Sequence, residues 1–243
     1  MDEYNDDYNH IDPNIFYITE NIPSPSKTDS ESLRIETDYN SQQTVHCCCN
    51  NVCSVEGKCG CLLNNEVNYH KCVNELVATN STLNLDKLII ECNSLCSCGI
   101  HCSNRLVQFG PRTNLTILNC SNGNKHQNSK GFGLFTKDSI PKGGFICEYA
   151  GEILSKTEAF DRNMFNKKNK LMNYILCVNE HTGDTNIQTF IDPSEFGNIG
   201  RYMNHNCQPN CIMLPIRVLC KLVEIYKGSG LERGRCGFDM YAN

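Results

Sequence analysis

Residues 1–46 are polar, with Pro23-Ser24-Pro25-Ser26 as a break and few apolar residues after it, and the stretch 24–46 reads as a loop or partly disordered linker. Residues 47–102 are no more regular. Within them, residues 75–91 are rich in Asn, Thr and Leu and read as an insertion. From about residue 105 the pattern changes to short apolar runs broken by turns. Phe145-Ile146-Cys147-Glu148-Tyr149 and Tyr174-Ile175-Leu176-Cys177-Val178 predict strands, and Thr189-Phe190-Ile191 predicts a third that Asp192-Pro193 stops. Ser155-Lys156-Thr157-Glu158 has the form of a capping box and predicts a short helix through about Arg162. Lys167-Lys168-Asn169-Lys170 reads as a polar loop. The expectation is a mostly β half preceded by a loop-rich segment too irregular to build a core of its own.

Composition narrows the class. The 243 residues are 40% hydrophobic and 20% charged, as in globular chains. No apolar run approaches the roughly 18 residues of a membrane span. The start, Met1-Asp2-Glu3-Tyr4-Asn5-Asp6-Asp7, is acidic, unlike a signal peptide. Secretion and membrane insertion are therefore not expected, and a reducing compartment is. Residues 1–46 carry ten Asp/Glu against Lys27 and Arg34. Residues 47–102 carry five against Lys58, Lys71 and Lys87. A zinc module that reads DNA should present a basic face, so sequence-specific DNA binding by this segment is disfavoured and a basic partner suits it better.

The chain has 18 cysteines, eleven of them within residues 47–102. Thiols so closely spaced in a reducing compartment point to metal rather than to disulfides. They fall into two groups, Cys47, Cys49, Cys53, Cys59 and Cys61, then Cys92, Cys96, Cys98 and Cys102, with Cys48 and Cys72 left over. Structural zinc takes four thiolates per ion, and nine does not divide by four. Nine thiolates satisfy three tetrahedral ions if six bind one ion each and three bridge two. Bridging also accounts for the Cys-x-Cys pairs, which are too close to chelate one ion in the usual way. One or two separate four-cysteine sites with spare thiols remain the alternative.

The nine-cysteine pattern resembles the pre-SET domain of histone-lysine N-methyltransferases, in which a triangular three-zinc cluster is known. Phe16-Tyr17-Ile18-Thr19-Glu20-Asn21-Ile22-Pro23 before it and Cys102-Ser103-Asn104-Arg105-Leu106-Val107-Gln108 after it resemble that domain's flanks. The similarity is closest to SETMAR-type enzymes and next to the heterochromatin-forming methyltransferases. It implies an acidic N-terminal arm over 1–46, a pre-SET zinc cluster over 47–105 and a SET domain over 106–243. The fold implied is mostly β: short-stranded sheets with a pseudoknot.

The second half carries the same resemblance. Lys130-Gly131-Phe132-Gly133 stands where the family has a Gly-Trp-Gly segment that lets backbone approach S-adenosylmethionine. It is not a dinucleotide fingerprint, since the third glycine is missing. Tyr174 matches the tyrosine the family places between cofactor and target-lysine channel. Gly200-Arg201-Tyr202-Met203-Asn204-His205-Asn206-Cys207-Gln208-Pro209-Asn210 resembles the Arg-Phe-x-Asn-His-Ser-Cys-x-Pro-Asn signature, with Tyr202 for Phe and Asn206 for Ser as departures. Ile191-Asp192-Pro193 followed by Gly197-Asn198-Ile199-Gly200 also fits. The resemblance implies S-adenosylmethionine contacts at Lys130, Gly131, Phe132, Gly133, Tyr174, Arg201, Asn204 and His205.

After residue 218 the chain departs from the family. Phe238-Asp239-Met240-Tyr241 is similar to the segment that brings the principal active-site tyrosine, but has one residue too many, and no strand is recognisable before it. The Cys-x-Cys-x4-Cys of a post-SET domain is absent; Cys211, Cys220 and Cys236 do not match its spacing. A fourth zinc at Cys207 is therefore not expected. The residues after 218 read as a divergent, spliced or truncated end. The resemblance implies a nuclear, chromosomal enzyme that methylates a lysine of histone H3, position nine favoured over thirty-six, with Tyr174 and Tyr241 as catalytic candidates. The rival is a catalytically impaired SET protein that binds chromatin or a partner. A secreted disulfide protein is a third class, distinguished by thiols closed to alkylation and by lack of zinc.

Overall fold

The computed structural model describes residues 11–25, 29–41, 45–62, 67–69, 89–112, 114–120, 131–182, 185–206, 209–218, 224–227, 234–235 and 237–238. Two compact units form, and neither is continuous in sequence: one takes residues 1–43 and 149–201, the other residues 44–148 and 202–243.

In the first unit β1 (Phe16–Tyr17) pairs in parallel with β10 (Phe196–Gly197), and Phe16 stacks on Phe196 at 5.1 Å. A four-stranded sheet runs in the order β2 (Ile22–Pro23), β7 (Glu152–Leu154), β9 (Thr185–Asp192), β8 (Leu176–Thr182). Ile153, Leu154, Ile191 and Ile199 are buried in this unit. The β8–β9 hairpin is longer than the apolar runs predict. Leu176 pairs with Ile191 at one end and Thr182 with Thr185 at the other. Its outer half, Asn179-Glu180-His181-Thr182, is held by ladder pairing with residues 185–188, and no apolar alternation marks it in the sequence.

Helix α2 (Lys156–Asn169) starts where the capping box places it, with the Ser155 hydroxyl accepting from the Glu158 amide at 3.1 Å. It runs beyond Arg162, and the expected loop at 167–170 is its last turn, ended by Lys170 in the left-handed region at φ 55°. Glu158 and Ala159 are its buried residues, so no apolar stripe shows its length. Lys167 and Lys168 suit the negative end of the helix dipole. The expected linker 24–46 likewise contains helix α1 (Ser30–Ser41). Asp29 starts it by accepting from the Ser32 amide (2.7 Å) and hydroxyl (3.0 Å). Its other oxygen accepts from the Ser155 hydroxyl at 2.7 Å, and Glu31 accepts from the Lys156 amide at 3.0 Å. The first turns of α1 and α2 are thus tied together. The bond from Ser155 holds the Asp29 carboxyl below its ordinary range. Ser155 is fully buried and serves both helices, so Ser155→Ala is expected to cost about 1–2 kcal/mol, read as a lower denaturant midpoint with unchanged slope.

The second unit contains three sheets. β4 (Leu115–Asn119) pairs antiparallel with β5 (Phe132–Thr136), which also carries β15 (Gly234–Arg235). β3 (Ile89–Ile90) pairs in parallel with β13 (Ile216–Arg217). The largest sheet runs β11 (Asn204–His205), β16 (Gly237–Phe238), β12 (Cys211–Leu214), β14 (Glu224–Lys227), β6 (Phe145–Glu148). Tyr69, Ile89, Leu106, Val107, Phe145, Leu214, Ile216 and Val218 form one core cluster here. The stretch after residue 218 therefore does contain a strand: β14 lies between β6 and β12. Its four residues Glu224-Ile225-Tyr226-Lys227 are too short to stand out, and its partners on both sides define it. Among the described residues no helix is long and apolar enough to cross a membrane.

Candidate metal centre and cofactor loop

The nine predicted cysteine ligands come together. Cys47, Cys53, Cys59, Cys61, Cys92, Cys96, Cys98 and Cys102 are buried in one cluster, with the half-buried Cys49 packed against it. Cys48 is exposed, and Cys72 lies outside the described residues. Leu62 and Ile90 are the cluster's buried aliphatic residues, so apolar burial supplies little of the stability of this segment.

Sulfur spacing decides between disulfide and metal. Cys53 and Cys92 are 3.4 Å apart, Cys47 and Cys53 3.5 Å, Cys61 and Cys96 3.7 Å, Cys47 and Cys92 4.0 Å. A disulfide brings sulfurs to about 2.05 Å. Two thiolates on one tetrahedral zinc, each about 2.3 Å from it, sit roughly 3.8 Å apart. The distances fit shared metal ions. Three sets of four sulfurs lie within 4.8 Å of one another: Cys47, Cys92, Cys96, Cys98; Cys47, Cys53, Cys59, Cys92; and Cys53, Cys92, Cys98, Cys102. Cys92 belongs to all three, and Cys47, Cys53 and Cys98 to two each. Seven of the nine sulfurs fall in these sets, Cys49 and Cys61 in none, and the overlap places Cys47, Cys53, Cys92 and Cys98 within reach of more than one candidate metal position. Burial pushes the Cys98 thiol up to about 12 and Cys49 up to about 11. So many buried sulfurs can ionise together only around cations, which zinc supplies.

The glycine loop lies in the same unit. Gly131 has φ +63°, in the left-handed region, and nothing lies within 4 Å of where its Cβ would be. At Gly133 a Cβ would stand 2.6 Å from the Cys120 sulfur and 2.9 Å from the Asn204 amide nitrogen. Asn204 donates that amide to the Phe132 carbonyl at 3.0 Å, which fixes the side chain against the loop. Phe132 is 41% exposed and meets Tyr202 edge-on at 6.5 Å. His205 is exposed on β11, next to β16. Bare backbone at Gly131, an anchored amide and an exposed aromatic ring suit a flat, polar ligand such as an adenosine.

The first unit holds the other predicted residues. The Arg201 guanidinium carbon lies 4.5 Å from the centroid of the Tyr174 ring, and its Nε donates to the Pro193 carbonyl at 3.0 Å. The Tyr149 hydroxyl donates to the Tyr174 carbonyl at 2.7 Å, and burial pushes that phenol well up. Tyr174 is thereby held at both backbone and ring. Lys130, Cys207 and Tyr241 lie outside the described residues.

Two buried networks were not foreseen. Arg162 donates to Glu152 (2.8 Å), Asp192 (2.9 Å) and Glu158 (2.8 Å). Glu91, fully buried, accepts from the Leu106 and Val107 amides (2.8 and 3.0 Å) and from the Gln108 side chain (2.8 Å). Glu158 and Arg162 stand four apart on α2, a local spacing, but Glu152, Asp192 and Glu91 meet their partners from ten or more residues away.

A buried cysteine cluster that could hold metal, followed by short-stranded sheets in which an Asn-His strand meets a Gly-Phe-Gly loop, defines a pre-SET and SET architecture. Comparison with known proteins agrees. The Pre-SET motif matches residues 2–105 and the SET domain residues 131–229. "Histone-lysine N-methyltransferase SETMAR" of Rattus norvegicus is 40% identical over 175 residues, covering 71% of this chain and 52% of that protein. "Probable histone-lysine N-methyltransferase set-23" of Caenorhabditis briggsae is 34% identical over 205 residues, covering 83% of this chain and 74% of that one. The crystal structure of the methyltransferase domain of human SETMAR superposes with a TM-score of 0.70 at 31% identity, covering 93% of this chain and 75% of that one. The chain belongs to the SET-domain histone-lysine N-methyltransferase family. It spans about half the length of the SETMAR relatives, as the 52% for the rat protein shows.

Proposed function

We propose that this chain transfers a methyl group from S-adenosylmethionine to a lysine amine of histone H3, position nine favoured over thirty-six, in the nucleus and on chromosomes. The observation that carries this is Asn204 anchored on the carbonyl of the Gly131-Phe132-Gly133 loop. The family membership of its relatives supports it. S-adenosylmethionine, when bound, supplies a methyl group already activated by its sulfonium.

The chain's task is then positioning. Gly131 and Gly133 offer backbone close to the ligand, Asn204 and His205 offer neutral donors and acceptors, and Phe132 offers a ring face. Arg201 holds Tyr174, whose hydroxyl orients the substrate amine. A lysine titrates near about 10.4 in water, so an aromatic, dry channel must favour its uncharged form and hold it about 3 Å from the methyl carbon. Tyr241 is proposed as a second hydroxyl in that channel. Three zinc ions on the nine thiolates are structural, with no fourth at Cys207. The acidic arm suits the basic histone tail or nucleosome; neither sequence-specific DNA binding nor membrane association is part of the proposal.

Asn204→Ala is expected to weaken S-adenosylmethionine binding at least about tenfold, the value of one charge-assisted hydrogen bond, with the melting temperature little changed. Titration calorimetry on both proteins checks it, and equal affinities would contradict the assignment. A second reading, a SET protein that binds chromatin without turnover, is favoured by the residues after 229, which lie beyond the SET domain match. Cofactor binding without methyl transfer would mark it.

A further inference from the structure

The cluster sulfurs are surrounded by N–H donors, and these are unevenly placed. The Asn104 side-chain amide donates to Cys92 (3.4 Å) and its backbone N–H to Cys102 (3.5 Å). The Asn93 and Cys47 amides both donate to Cys96 (3.3 and 3.4 Å). One donor carries a full charge: Arg105 Nη2 is 3.7 Å from the Cys98 sulfur.

Arg105 is odd for a half-buried cation. Its other partners are the carbonyls of Asn93 (2.7 Å) and Cys98 (3.4 Å) and the side-chain oxygen of Gln108 (2.9 Å). No carboxylate bonds it among the described residues, and its buried Nε has no hydrogen-bond partner there. A guanidinium removed from water needs an anion. Nine thiolates around three divalent ions leave three negative charges in excess, and Cys98, shared by two of the four-sulfur sets, brings that excess to Arg105.

We propose that Arg105, seconded by Asn104, is the outer shell of the metal–thiolate cluster: its charge offsets the thiolate excess at Cys98 and keeps the metal bound. This rests on the zinc reading of the nine cysteines. Arg105 is a positioning residue, acting on the metal through sulfur. Gln108 sets its direction, bonded in turn to the Cys92 carbonyl and to Glu91, both at 2.8 Å. Outer-shell partners of bound metals are worth about 10–100-fold in affinity.

The test compares full-length wild type, Arg105→Met, Arg105→Lys and Gln108→Ala, loaded with zinc and titrated with a chelator of known affinity. Arg105→Met should begin with the wild-type zinc content and lose metal at about 10–100-fold lower chelator concentration. Arg105→Lys should recover most of the difference. The cobalt-substituted Arg105→Met protein should show a shifted sulfur-to-metal charge-transfer band, which mere loop disturbance would not produce. Equal metal retention in wild type and Arg105→Met would overturn the proposal while leaving the zinc reading intact. So would equal loss in Gln108→Ala and Arg105→Lys, which would locate the effect in loop geometry. Folded wild type that holds no zinc would instead overturn the zinc reading itself.

Discussion

Cys92→Ala is expected to remove more than one zinc ion from the cluster and to unfold the segment around residues 45–107, because Cys92 lies in all three four-sulfur sets. It is fully buried and 3.4 Å from Cys53. Within the cysteine cluster itself Leu62 and Ile90 are the buried aliphatic side chains, while Tyr69, Ile89, Leu106 and Val107 of the same segment pack in the adjoining core. Structural zinc contributes roughly 10–16 kcal/mol to small domains at neutral pH, far more than two such side chains at about 1.5–3 kcal/mol each. Because β3 pairs with β13, and the Glu91 amide donates to the Arg217 carbonyl at 2.9 Å, loss of the cluster also frees one side of the second unit's core. Metal analysis should give a ratio lower by more than one ion per chain, and thermal unfolding should begin earlier. Cys48→Ala, at an exposed thiol outside the cluster, should change neither. Full zinc content and an unaltered melt in Cys92→Ala would refute the shared-ligand arrangement.

Arg162→Met should be the most damaging single substitution in the first unit. Glu152 and Asp192 are each 1% exposed and Glu158 is 9% exposed, and Arg162 is the cation that bonds all three. Ser24 adds a hydroxyl, donated to Glu158 at 2.9 Å. Removing the guanidinium leaves three carboxylates out of water without a counter-charge. Breaking a buried pair in this way costs about 3–5 kcal/mol. Methionine keeps the apolar stem, so the loss reports the charge. The effect has a sign in pH: in the variant the folded state favours protonated carboxylates, so it binds more protons than the unfolded chain and gains stability as pH falls. Denaturant unfolding at several pH values should show a lower midpoint near neutrality and partial recovery in acid. An unfolding free energy within about 0.5 kcal/mol of wild type at neutral pH would mean that the network is solvated rather than buried.

What could be read from the sequence was local, and what could not depended on distant partners. The spacing of Cys47 through Cys102 pointed to a common metal-binding cluster, and the sulfurs do gather in groups that could hold metal. Ser155-x-x-Glu158 located the start of α2 because a cap is chemistry within four residues. The end of α2 escaped because the helix buries so little of itself. Helix α1 escaped although Asp29 caps it locally through the Ser32 amide; its ties to residues 155 and 156 add support from outside the segment. The outer half of the β8–β9 hairpin and strand β14 exist through ladders whose other side lies elsewhere in the chain. The nine cysteines that gather in the cluster were named individually, but the buried contacts of Glu91 and Arg105 were not, since a buried carboxylate or a guanidinium near a sulfur leaves no mark in its own neighbourhood.

The most direct measurement is methyl transfer from labelled S-adenosylmethionine to recombinant histone H3 by the zinc-loaded, full-length chain. The expected result is label on H3, lost in Asn204→Ala and after zinc is stripped, and diminished when the lysine at position nine is replaced. A folded, zinc-loaded chain that binds the cofactor but leaves H3 unlabelled would contradict the proposed activity.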